Sequence, residues 1–283
     1  MQSFEGRVAA ITGAASGIGR ALAVDLAHRG AHLALADVDE AGLADTVARC
    51  EGRGVKVTSR RVDVADRAAV AAWADAVVTD HGAVHLVVNN AGVALGATVA
   101  AMDHDDLEWL MGVNFWGVVH GTKAFLPHLL AAREGHLVNV SSVFGLFSVP
   151  AQSAYNASKF AVRGFTDALR IELDLAGAGV SCTTVHPGGI RTNIARNARM
   201  DPSAAALTGS DDGPDAFDQV AMTTPEKAAR QILRAVERDK RRALVGPDAK
   251  VLDLLARLPA GVLQRAIVAG ARRRRAKATP SGS

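Results

Sequence analysis

The sequence predicts a doubly wound α/β fold, a parallel sheet of about seven strands flanked by helices. Short apolar runs alternate along the chain with longer segments of helical period, an order that lays helices on both faces of a parallel sheet. Several of the runs are almost continuously apolar, as strands buried on both faces are. The composition is 49% hydrophobic but only 4% aromatic, so small aliphatic side chains dominate and suit close packing of helix on sheet.

Taken in order, strands are expected at 7–12, 32–36, 56–62, 84–89, 136–141 and 180–185, with 242–245 as a seventh. Helices are expected at 17–29, 39–51, 66–81, 103–132, 153–176 and 225–238. Asp39 and Asp66 stand near two helix starts as caps, and Thr224-Pro225 is a good cap-plus-first-residue pair. No internal repeat interrupts the alternation, so residues 1–246 read as one domain. Segment 193–224 is rich in Ala, Asp, Gly and Ser with weak periodicity, and reads as a mobile excursion long enough to serve function. Residues 247–270 read as a helical extension with a break at Pro259, and 271–283 as a basic, disordered tail.

The net charge of +3 is a property of that tail. Arg272, Arg273, Arg274, Arg275 and Lys277 supply five positive charges there, against no acid. The remainder holds 27 basic and 29 acidic residues, so no broad nucleic-acid-binding charge is expected. The two cysteines, Cys50 and Cys182, fall in different predicted elements and have no metal-like spacing. The nine histidines form no metal-spaced pair either. A reducing cytoplasm and no metal are expected. The first residues lack a signal-peptide layout, and no run is long enough for a membrane-spanning helix.

After the first predicted strand comes Thr12-Gly13-Ala14-Ala15-Ser16-Gly17-Ile18-Gly19. Glycines admit a phosphate close to the backbone, and the helix start offers free N–H groups and a positive dipole end. The spacing is G-x-x-x-G-x-G, which alone would also suit an ordinary glycine-rich turn. Asp37 ends the second predicted strand. A carboxylate there accepts hydrogen bonds from adenosine ribose hydroxyls and repels the extra phosphate of NADP. Its alternative use is as a cap for the helix beginning near Asp39.

Four motifs then occur in order: TGAASGIG, Asn89-Asn90-Ala91-Gly92, Tyr155-Asn156-Ala157-Ser158-Lys159, and Pro187-Gly188. In order and spacing they resemble the short-chain dehydrogenase/reductase family over about residues 5–245. The resemblance implies a Rossmann-type sheet and a nicotinamide cofactor held by Gly13, Ser16, Gly17, Ile18 and Gly19. It implies adenine contacts from Asp63 and Val64, and a cofactor cleft lined by Asn90, Ala91 and Gly92. The nicotinamide end falls to Pro187, Gly188, Ile190 and Thr192. NADP-using relatives often carry a basic residue where this chain has Ser16 or Val38, so the expected cofactor is NAD, with Asp37 and Val38 beside its ribose.

Tyr155 and Lys159 are four apart on a predicted helix and share a face. A phenol is a poor base at neutral pH, and a nearby ammonium together with the positive nicotinamide ring of NAD favours its ionised form. Tyr155 is the only tyrosine in the chain and occupies the motif position. It is the expected general acid/base. By resemblance Lys159 also bonds the nicotinamide ribose, Ser142 holds the substrate oxygen, and Asn114 kinks a helix and holds a water on the lysine. Ser141 points to the opposite face if its strand continues. His186 reads as a packing residue.

By the same resemblance, Val143–Phe147 and Val93–Leu95 border the substrate. They are apolar and uncharged, which points to a hydrophobic secondary alcohol or ketone. Segment 193–224 becomes the lid, with Met200, Leu207, Phe217 and Met222 either closing over substrate or anchoring a loop. Dimers or tetramers through 103–132 and 153–176 are implied. The extension at 250–277 either packs on the body or a neighbouring subunit, or rests weakly on an anionic membrane. NADPH-dependent carbonyl reduction and a non-catalytic dinucleotide sensor stay open as alternatives.

Overall fold

A computed structural model describes residues 1, 3–209 and 221–278. Its strands are β1 (Val8–Thr12), β2 (His32–Asp37), β3 (Val57–Arg61), β4 (Leu86–Asn89), β5 (Leu95–Gly96), β6 (Gly135–Val140), β7 (Val180–Pro187), β8 (Arg199–Met200) and β9 (Arg242–Val245). Seven of them form one parallel sheet in the order β3-β2-β1-β4-β6-β7-β9, while β5 and β8 pair separately. The helices are α1 (Gly17–His28), α2 (Glu40–Cys50), α3 (Arg67–His81), α4 (His104–Met111), α5 (Gly117–Ala132) and α6 (Ser153–Ala176). After these come α7 (Pro202–Thr208), α8 (Pro225–Glu237), α9 (Pro247–Leu255) and α10 (Ala260–Ala278).

The period of two along each strand sorts the core into two layers. Ile11, Leu33, Leu35 and Val88 pack with Leu22 and Leu26 of α1 and with Ile232 and Leu233 of α8. Val8, Ala10, Ala34 and Val87 face the other way, toward Trp73 of α3, Phe125 of α5 and Leu169 of α6. This is the doubly wound sheet expected from the apolar runs. Asp39 accepts from the Gly42 amide, Asp66 from Ala68 and Ala69, and Thr224 from Lys227, each satisfying amides that a helix start leaves open.

Three features differ from the sequence expectation. The helix expected over 103–132 is interrupted by a π-helical turn at Gly112–Trp116, because one extra residue is accommodated there and the Gly117 amide reaches back to the Gly112 carbonyl. Segment 193–224 is not wholly irregular: β8 and α7 lie within it, and α7 starts with Asp201 capping and Pro202 following. Phe217 lies outside the described residues. The tail expected to be disordered from 271 continues as helix to Ala278, since Ala, Arg and Lys are strong helix formers. The break near Pro259 does separate α9 from α10. Among the described residues no helix is long and apolar enough to cross a membrane.

Helix α5 approaches the sheet closely at Gly121, where an added Cβ would overlap the carboxamide oxygen of buried Asn89. Asn89 in turn donates to Asn139 Oδ1 at 2.8 Å and Thr122 Oγ1 at 3.2 Å. Gly121→Ala is therefore expected to destabilise the fold by about 1–3 kcal/mol, read as a lowered urea midpoint with an unchanged m-value.

Candidate active site

The site lies at the carboxyl ends of the central strands. Between β1 and α1 the chain turns at Gly13 (φ +66°) and Gly17 (φ +53°), the left-handed region that glycine enters without cost. A Cβ on Gly19 would overlap the Gly13 carbonyl oxygen, so the helix start and the loop touch backbone to backbone. Ser16, the N-cap of α1, makes no side-chain cap bond. Ile18 is half-buried against the core.

Asp37, at the end of β2, accepts from the Ala15 amide at 2.8 Å and from the Asp39 amide at 3.1 Å. It thus fastens the glycine loop to the second strand, while Asp39 is the residue that caps α2. Val38 beside it is 52% exposed. Asp63 is exposed and accepts from the Ala65 amide, and Val64 is buried against Gly117. Asn90 donates to the Thr12 carbonyl at 3.0 Å and the Gly13 carbonyl at 3.2 Å, and Thr12 Oγ1 receives the Asn90 and Ala91 amides. Gly92 adjoins Asn114 and Lys159, where an added Cβ would stand 3.3 Å from Asn114 Oδ1 and 3.5 Å from Lys159 Nζ. On the other wall, Thr192 packs on Gly17, and Ile190 is buried.

These features fit a dinucleotide. The helix N-terminus offers amides to a phosphate, Gly13 and Gly17 carry no side chain to obstruct it, and the Asp37 carboxylate ends the neighbouring strand.

The expected four residues converge. The Ser142 hydroxyl lies beside the half-buried Tyr155 phenol and pulls its pKa down. It also accepts from the Phe144 amide at 3.1 Å. Lys159 Nζ lies 5.5 Å from the Tyr155 ring centroid and donates to the Val140 carbonyl at 3.1 Å. Asn114, in the π-helical turn, is fully buried. Its carboxamide pairs with both backbone groups of Val93, at 2.8 and 2.9 Å, and donates to Ser158 Oγ at 3.3 Å. Ser141 faces away and donates to the Lys159 carbonyl at 2.8 Å.

Burial dominates the protonation of the pair. It pushes the Tyr155 phenol up to about 12, against the pull of the Ser142 hydroxyl. It pushes the Lys159 ammonium down to about 8. In the protein by itself desolvation is the larger effect on the phenol, which holds its proton at neutral pH.

A model of the short chain dehydrogenases matches residues 7–203. The chain belongs to the short-chain dehydrogenase/reductase family. It is 52% identical over 271 residues to SadH of Mycobacterium tuberculosis, covering 95% of this chain and 97% of SadH. A short-chain dehydrogenase/reductase of Burkholderia phymatum solved in complex with NAD is 36% identical, with a TM-score of 0.85 over 94% of this chain and 97% of that one. Carveol dehydrogenase of Mycobacterium avium, also solved with NAD, is 27% identical, with a TM-score of 0.73 over 82% of this chain and 91% of that one. The family makes this chain an oxidoreductase that uses a nicotinamide dinucleotide.

Two residues of this short-chain dehydrogenase/reductase were not found from sequence. His186 is fully buried, held neutral by a pKa pushed down to about 4 through burial, and donates from Nδ1 to the Ser142 carbonyl at 2.8 Å. The sequence suggests a packing role for it, and the structure adds a hold on the backbone of the serine. Asp248, in the first turn of α9, accepts from the Gly189 amide at 2.6 Å and is cradled by Gly188 and Gly246. It thereby anchors the loop after Pro187. Nothing in the sequence links 248 to 188, because the contact forms only once β7 and β9 lie side by side.

Segment 193–208 is also stitched to the site. The β5–β8 pair, the Arg199 amide to Ala94, and an Arg199–Asp106 ion pair at 2.6 Å hold it over residues 94–96. The Arg199 guanidinium also stacks 3.7 Å above the Trp109 ring. A cavity of about 570 Å³ beyond this strap is lined by Val99, Pro150, Phe160 and Leu207 and by none of the four converging residues.

Lys159 is 3% exposed. A cation whose folded-state pKa is lowered costs stability in full below about 8, and the cost fades as pH rises from there toward the ordinary 10.5. Lys159→Met is thus expected to raise stability at pH 7 by about 1–3 kcal/mol, and to remove the gain that the parent shows in this alkaline window, both read by urea unfolding.

Proposed function

We propose that this enzyme moves a hydride between NAD(H) and a hydrophobic secondary alcohol or ketone, with Tyr155 as its general acid/base. The observation that carries the reading is the half-buried Tyr155, with buried Ser142 beside its hydroxyl and the Lys159 ammonium 5.5 Å from its ring, at the mouth of a dinucleotide-type cleft. When bound, NAD supplies the hydride acceptor and a positive ring. Gly13, Ser16, Gly17, Ile18 and Gly19 would hold its phosphates, Asp37 and Val38 its adenosine ribose, and Asp63 and Val64 its adenine. Asn90, Ala91 and Gly92 would line its cleft, and Pro187, Gly188, Ile190 and Thr192 would hold its nicotinamide end, with Lys159 on the nicotinamide ribose.

Ser142 orients the substrate oxygen by hydrogen bonding. Tyr155 gives a proton to that oxygen in reduction and takes it in oxidation. Its protonated resting state suits the donor role directly. For oxidation its phenol must lose a proton, which the Lys159 ammonium and a bound cationic ring both favour. Asn114 and Lys159 both adjoin Gly92, and Asn114 would hold a water on the lysine through which its proton exchanges with solvent.

The preference for NAD rests on three groups. The Asp37 carboxylate would repel a ribose phosphate, and neither Ser16 nor Val38 offers the cation that would receive one. The preference for apolar substrates rests on Leu95, Val143 and Leu146, all buried, and on the edge-to-face rings of Phe144 with Phe147 and Tyr155. The buried, unpaired state of Cys50 and Cys182 is compatible with a cytoplasmic enzyme. Exposed Trp116, Phe160, Ile171 and Leu175 support self-association through the helices of 103–132 and 153–176.

Tyr155→Phe is expected to lower kcat at least about a thousandfold with little change in NADH affinity. Turnover retained in that variant would end the mechanism, since no second tyrosine exists. In fluorescence titrations the parent should bind NADH more tightly than NADPH, and Asp37→Ala should narrow the difference by about tenfold. Equal affinities in the parent would turn the assignment to NADP.

A further inference from the structure

Helix α9 is amphipathic the wrong way round. Its inward face carries Ala249 and the carboxylate of Asp253, which is 6% exposed and pairs with Arg242 at 3.0 Å and Arg257 at 2.8 Å. Its outward face carries Val251, Leu254 and Leu255, 59%, 68% and 39% exposed, and Leu258 of the following turn continues the row at 45%. The spacing i, i+3, i+4, i+7 makes these one stripe. A helix lying on a soluble body normally turns such a stripe inward. Beyond the turn, Val262 and Val268 of α10 are again about half exposed, while Leu263, Ile267 and Ala271 are more covered and α10 lies against α7.

Charge is sorted along the same stretch. Residues 254–278 hold seven Lys or Arg and no Asp or Glu, whereas the rest of the chain holds 25 basic against 29 acidic residues. Arg257, Arg265, Arg272 and Arg273 are exposed. An outward apolar stripe joined to an acid-free basic run is the pairing that binds the interface of an anionic bilayer: apolar side chains enter the headgroup boundary while cations meet lipid phosphates. A two-fold contact of this face with its own copy would set basic run against basic run, so charge complementarity favours lipid over self.

We propose that α9 and α10 form a reversible docking surface for an anionic lipid bilayer, with Val251, Leu254, Leu255 and Leu258 as the inserted stripe and the Arg272–Arg275 run as the electrostatic half. The attachment is weak and salt-sensitive, because a short stripe and a surface charge cluster each contribute modestly.

The test is co-sedimentation of the full chain with vesicles of phosphatidylcholine containing about 30 mol% phosphatidylglycerol, against pure phosphatidylcholine. The bound fraction should be substantial on the anionic vesicles at low salt and negligible on the neutral ones. It should fall at least about tenfold in about 0.5 M salt. R272Q/R273Q/R274Q/R275Q and, separately, L254S/L258S should each reduce it by a similar factor. NADH titration checks that both variants remain folded, since neither touches the cofactor cleft. No sedimentation of the parent on anionic vesicles at low salt overturns the proposal. So does sedimentation that survives both variants. A parent that is a larger species than L254S/L258S by analytical ultracentrifugation, with no lipid binding, would instead assign the stripe to a second copy of the chain.

Discussion

Parallel register is the constraint on which the rest of this molecule depends. Ile11 lies beside Val88, Asn89 beside Asn139, and Val140 beside Val185. Strands β1, β4, β6 and β7 therefore end within about three residues of one level, and every chain that leaves them departs at one edge. The polar groups that follow have no choice but to meet: Thr12 receives Asn90 and Ala91, Lys159 donates to Val140, and His186 holds Ser142. A slip of one residue in any pairing would reverse the faces and scatter these contacts. The Asn89–Asn139 bond, inside the sheet layer and shared with Thr122 and Thr166, fastens two of the strands and two of the helices at the required level.

The site that this edge assembles is locally unfavourable. A buried lysine and a half-buried phenol lie side by side, the lysine losing hydration and the phenol held to its proton. Asn114 is kept in a π-helical turn by bonds to Val93, not by its own helix. Such arrangements persist only where the surroundings fix them. Here the surroundings are the two apolar layers and the backbone contacts of Gly13, Gly19 and Gly121.

The sequence revealed much of this because the informative patterns were local. The apolar runs marked the sheet strands to within a few residues, since burial on both faces leaves no other composition available. Tyr155 and Lys159 were visible as a pair because helical spacing alone puts them together. The periodicity of segment 103–132 reads as one helix, and only the resemblance implies a kink at Asn114, because the bond that draws Asn114 aside comes from residue 93. The β5–β8 pair escaped for a similar reason: each strand has two residues, too few for a period. Asp248 and the supporting contact of His186 depend on neighbours far away in the chain. The reversed polarity of α9 needed the body in place before inward and outward had a meaning.

The single tyrosine has a consequence beyond its chemistry. In most enzymes the ultraviolet signature of a catalytic phenol is lost among those of its neighbours. In this chain any phenolate absorbance, and any resonance from ring-labelled tyrosine, arises from residue 155 alone. The protonation of the acid/base is therefore open to direct spectroscopic titration in the unaltered protein, free and with nucleotide. The work of desolvating the phenol can then be separated from the work done by the cationic ring without a single substitution.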